Sequence, residues 1–181
     1  MSTRPSLMPQ SVVELRRAFD QAFASAPAEQ APEAEDILSL RIAGKPYGVK
    51  VHEIAGIARV SRIVPRPSST PGLLGIVQIR GTLVPVYSLS IILGHPQASP
   101  GPACWVALHG RHDPVALDLG EFKACIRVLK SELCSPEDGT AGRRHIGQVA
   151  RTPTGVRAII DVVSVVESIK RQTRRIEGIR A

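Results

Sequence analysis

The sequence predicts a mainly β protein built as small barrels or a sandwich. Three observations carry that expectation. From residue 37 onward apolar residues alternate with polar ones and helical spacing disappears. Turn signals recur every 8 to 12 residues or so, which suits short strands joined by hairpins. Fifteen Pro and fifteen Gly in 181 residues supply those turns, and with aromatics at 3% the core must be built from Val, Ile, Leu and Ala.

Before the β region, residues 11–25 predict an amphipathic helix. Ser11 and Glu14 form a capping-box pattern, Val12, Leu15, Phe19 and Phe23 recur at helical spacing, and Pro27 ends the run. Such a helix either packs on its own domain or binds a partner. Residues 26–36, "APAEQAPEAED", carry four acids and no base and predict a flexible linker.

The strands follow in order. Leu38, Leu40 and Ile42 alternate, Gly44-Lys45-Pro46 turns the chain, and Tyr47, Val49 and Val51 alternate again, predicting a hairpin. Ile54 and Ile57 suggest a short helical turn, and "RIVPRPSSTPG" an extended loop stiffened by proline. "LLGIVQI" and "TLVPVYSLSII" form a second hairpin joined at Arg80-Gly81. After a break at "ASPGP", "ACWVAL" and "PVALDL" flank the turn "HGRHD". "FKACIRVL" is a further strand, "IGQVAR" and "VRAIIDVV" flank "TPTG", and "VSVVESIKRQ" reads as a short terminal helix.

Composition narrows the function classes. The net charge of +7 invites a nucleic-acid-binding barrel as an alternative function. However, the bases are scattered, apart from the tail "KRQTRRIEGIRA", and stacking aromatics are sparse. No apolar leader or bilayer-length segment is present, so a soluble, cytoplasmic protein is expected. Cys104, Cys125 and Cys134 are odd in number and contain no CxxC pair, which disfavours a disulfide framework or zinc ribbon; Cys104 beside Trp105 reads as a core residue. No phosphate-binding glycine loop or nucleophile elbow occurs. His52-Glu53 lacks the second histidine of a zinc helix, since position 56 is Gly. His109 and His112 fall in a hairpin turn, where histidines are ordinarily solvated. No catalytic residue, metal site or cofactor is therefore expected.

Against this background, residues 47–94 resemble the CheW-like domain, the coupling module of bacterial chemosensory systems. The resemblance rests on Tyr47, Ile54-Ala55-Gly56-Ile57, Ile63-Val64-Pro65-Arg66-Pro67, Pro71, Gly75-Ile76-Val77-Gln78-Ile79-Arg80-Gly81, Val84-Pro85-Val86-Tyr87-Ser88-Leu89 and Leu93-Gly94. "VALD" at 115–118 and "AIID" at 158–161 extend it more loosely across about 37–168. Gly56, Gln78 and Ser88 stand where the family pattern has an acid, an asparagine and an aspartate.

The resemblance implies two small SH3-like five-stranded β-barrel subdomains, the first mainly 45–94 and the second mainly 103–162. A helix and acidic linker (1–36) would precede them and a basic tail (169–181) would follow. It implies no enzymatic activity. The implied partners are the regulatory domain of a CheA-type histidine kinase, the cytoplasmic tip of a methyl-accepting chemoreceptor and other CheW-like proteins, with recruitment to receptor clusters at the inner membrane. The implied protein-binding residues are Ile54, Gly56, Ile57, Gly75, Arg80, Val84 and Val86, with Gly81 as a structural turn; alternation requires some of the four aliphatic ones to be core.

Arg80 is the one charge in the apolar run 75–94. Burying it unpaired would cost several kcal/mol or more. It is therefore expected at a hairpin tip, exposed or paired with a carboxylate, Glu53 first among them, and in contact with a partner.

Overall fold

The computed structural model describes residues 32–68, 70–96, 104–110, 113–136 and 144–180, with side chains to residue 175. The helix expected at 11–25 lies outside these residues. The described chain forms eleven strands and two α-helices. In chain order the strands are β1 (Ala34–Ile42), β2 (Lys45–Lys50), β3 (Gly56–Val60), β4 (Leu73–Ile79), β5 (Thr82–Ser88), β6 (Cys104–His109), β7 (Val115–Asp118), β8 (Glu121–Leu129), β9 (Leu133–Cys134), β10 (Ile146–Thr152) and β11 (Gly155–Ile160). The helices are α1 (Leu89–Ile92) and α2 (Val162–Arg180).

The fold is mainly β, as the alternation predicts, and holds two sheets. One has six strands in the order β8-β1-β2-β11-β10-β9, and the other five in the order β3-β6-β7-β5-β4. The strands do not divide at a boundary near residue 100. The chain lays down β1 and β2, builds the whole five-stranded sheet between 56 and 118, and returns to the first sheet at β8. The expected division into 45–94 and 103–162 is corrected accordingly. Its cause is pairing that sequence spacing does not reveal: β2 pairs in parallel with β11, and β5 in parallel with β7.

Two other boundaries move. The acidic run is strand from Ala34, where Glu35 pairs with Lys50 Nζ at 3.4 Å. The basic segment 169–181 is not a tail, because α2 continues to Arg180. Two carboxylates cap that helix. Ser164 N–H donates to Asp161 Oδ1 at 2.8 Å, and Val162 N–H donates to Glu53 Oε2 at 2.9 Å. Each neutralises a donor that has no partner within the helix.

Three apolar clusters hold the sheets. The largest lies between them, where Leu40, Tyr47 and Val49 of the first sheet meet Tyr87, Ala107 and Leu117 of the second, with Val162, Val165 and Ile169 of α2 packed in. The five-stranded sheet encloses Val60, Val77, Val84, Val86, Val106 and Ala116. Val60 and Val77 belong to its opposite edge strands, so the sheet curls around one core. The far face of the six-stranded sheet buries Ile37, Val128, Ala150 and Ile159. Buried Arg157 shares that face, donating to Ser39 Oγ and to Thr154 Oγ1. Gly48 is needed there, because a Cβ would come within 2.7 Å of both Ile37 and Ile159.

Candidate protein-docking surface

The β4–β5 hairpin is where the sequence-predicted residues concentrate. Arg80 (φ 50°) and Gly81 (φ 84°) form a two-residue loop between the paired Ile79 and Thr82, a type I′ geometry whose twist matches the flanking strands. Arg80 is exposed at the tip, as expected of an unburied guanidinium. It is not paired with Glu53, whose carboxylate is engaged by the first amide of α2. That expectation is corrected: Glu53 belongs to the junction between the sheets, where its carbonyl also accepts from His109 Nδ1–H at 2.8 Å.

Strand alternation sorts the aliphatic candidates. Val84 and Val86 are 2% and 0% exposed and form the centre of the five-stranded core. Their assignment to a docking surface is corrected, since they point inward with Val77. Ile54 is partly buried against the cluster between the sheets. Gly75 is buried, and its position too is internal: a Cβ would overlap the carbonyl oxygen of Val64. Gly56 opens β3. Ile57, on that edge strand, is exposed at 40%.

The outward face of the hairpin carries residues outside the implied protein-binding set. Gln78 is opposite Leu83 and Ile76 opposite Pro85, while Val64 bridges Ile76 through paired backbone hydrogen bonds of 2.9 Å. Leu83 is 70% exposed and Val64 58%. Together with Ile76 they form a small apolar face ending at Arg80. The signal was in "TLVPV": if Val84 and Val86 are core, then Leu83 and Pro85 must face the other way. Trp105, on β6, is partly exposed and stacks at a tilt on Phe122, ring centroids 5.7 Å apart.

No group of three or more metal-ligating side chains occurs among the described residues. His112 lies outside them, and His109 is committed to the Glu53 carbonyl. The cysteines are free, Cys125 exposed and the others partly buried. Burial, and then the nearby Asp118 carboxylate, raises the pKa of the Cys104 thiol, which disfavours a reactive thiolate. Burial likewise raises the Asp118 carboxyl, partly opposed by the hydrogen bond from Gly120 N–H. A folded-state pKa above the unfolded value means that ionised Asp118 opposes folding at neutral pH. Asp118→Asn should therefore raise the melting temperature at neutral pH. The gain should fade on acidification through the raised pKa and vanish below the ordinary aspartate range, as thermal melts across pH would record.

A curled sheet packed on a second sheet carries an exposed apolar hairpin face. The family model of the CheW-like domain matches residues 36–170, and the chain belongs to that family. Among solved structures, the scaffolding protein TtCheW from Thermoanaerobacter tengcongensis has a similar fold, with a TM-score of 0.62 at 17% identity over 72% of this chain and 89% of that one. No curated protein matches the chain. Among the described residues no helix is long and apolar enough to cross a membrane.

Proposed function

We propose that this protein is a non-enzymatic adaptor that couples a chemoreceptor to a CheA-type histidine kinase in the cytoplasm, at receptor clusters on the inner membrane. Membership of the CheW-like family supports the adaptor class. The observation that carries the docking assignment is the outward face of the β4–β5 hairpin, where Val64 and Leu83 leave aliphatic surface in water beside an exposed guanidinium. An adaptor holds two partners at fixed geometry and so raises the effective concentration of each for the other. Arginine flanked by apolar surface is a common anchor of such interfaces.

The test is co-purification of a CheA-type kinase and a receptor cytoplasmic fragment with the wild type and with Arg80 variants. Arg80→Ala should weaken assembly by about 1–3 kcal/mol, the range of an interfacial anchor. Its melting temperature should stay close to wild type, because the side chain is solvated. Lys should restore only part of the affinity, since the planar fork is lost. Arg80→Gly separates conformation from contact: it relieves a left-handed backbone costing about 1 kcal/mol and should raise stability while still losing affinity. Undiminished coupling in Arg80→Ala would remove this residue from the interface, and failure of the wild type to retain either partner would end the adaptor assignment.

A further inference from the structure

An open cavity of about 440 Å³ lies between α2 and the turn that precedes β10. Arg144, Arg171 and Arg175 line it, together with the hydroxyls of Ser164 and Ser168. None of the three guanidiniums forms an ion pair among the described residues, and no described carboxylate lines the cavity. The nearby Asp161 is engaged in capping α2. His145 forms one wall. It is nine-tenths buried, holds a left-handed backbone (φ 69°), and is hydrogen-bonded through Nδ1 to Ser164 Oγ at 2.8 Å. Burial, then Arg144, lowers its pKa, with Arg171 acting the same way and Asp161 opposing them. The adjoining hollow is apolar in part, lined by Pro71, Ile91, Ile92 and Ile169.

We propose that this groove binds an acidic peptide segment of a protein partner, its carboxylates on Arg144, Arg171 and Arg175 and an aliphatic side chain on the Pro71–Ile92 floor. Charge complementarity selects the occupant. Three guanidinium forks without a carboxylate partner among the described residues, with hydroxyl donors beside them, match carboxylates, which accept two hydrogen bonds from each fork. The aliphatic floor adds a contact that a bare anion does not use. The site shares no residue with the β4–β5 hairpin face, and the inference does not depend on the adaptor assignment.

The experiment uses the full chain and a fluorescein-labelled peptide, Glu-Glu-Leu-Glu-Glu-Leu, read by polarisation. The double variant Arg171→Gln/Arg175→Gln should lose about tenfold in affinity, as expected for removing charge-assisted contacts. Arg62→Gln/Arg127→Gln removes the same charge from exposed positions elsewhere and should leave binding near wild type. Replacing the peptide's leucines by serine should also weaken binding. Far-UV circular dichroism confirms that α2 is retained in each variant. Equal losses in the two double variants would mean attraction by net charge alone and would overturn the proposal, as would absence of binding by the wild type. A short DNA duplex that bound more tightly than the peptide, and lost affinity only in Arg171→Gln/Arg175→Gln, would assign the guanidiniums to phosphates and overturn it as well.

Discussion

Val86→Asp should leave no folded protein. The side chain is fully buried at the centre of the five-stranded core, among Val77, Val84, Val106 and Ala116. An unpaired carboxylate there would cost more than about 4 kcal/mol, against a typical total stability of about 5–15 kcal/mol. Leu83→Asp, three positions away on the outward face, should melt close to wild type and lose kinase binding instead. Thermal melts of the two variants beside a co-purification assay decide the matter. A folded Val86→Asp protein defective in binding would put the docking surface on the opposite face of the sheet.

Gly75→Val is expected to be the second most damaging single change. A Cβ at Gly75 overlaps the Val64 carbonyl oxygen, and backbone cannot step aside as a side-chain tip can. The Val64–Ile76 bridge would open, losing two backbone hydrogen bonds as well as good packing. The cost should be about 3–4 kcal/mol, above the usual range for overpacking. Because Val64 forms part of the outward face, binding should fall together with stability. Denaturant unfolding measures the first and co-purification the second. A variant as stable as wild type would mean that residues 61–68 are not anchored to β4.

Local elements were legible because each left a local mark. Gly81 and the alternation around it give the β4–β5 hairpin, and Pro65 with Pro67 gives the extended loop. Partner strands distant in sequence leave no such mark. Nothing in "KPYGVK" announces that it lies beside "GVRAII", since parallel pairing is fixed by the packing of both faces. The exposure of Arg80 was legible, because a charge in an apolar run demands an exit to water. The candidate site was misplaced at Val84 and Val86, where a family motif drew attention to strand residues that the alternation assigns to the core. Glu53 shows another limit. Its use as a cap depends on α2 beginning 109 residues later in the chain, which spacing cannot reveal.

The excursion of residues 56–118 between the two halves of the six-stranded sheet bears on how the protein is made. On the ribosome, β3 to β7 are available to one another as soon as residue 118 has emerged, so this sheet can form early. The other sheet must wait, because β2 finds its neighbour β11 only at residues 155–160, and such distant closure is intrinsically slow. Until α2 follows, Tyr87, Ala107 and Leu117 lack the part of their cover that Val162, Val165 and Ile169 supply. A chain that ends before α2 would leave apolar surface exposed, and such truncated chains are expected to aggregate.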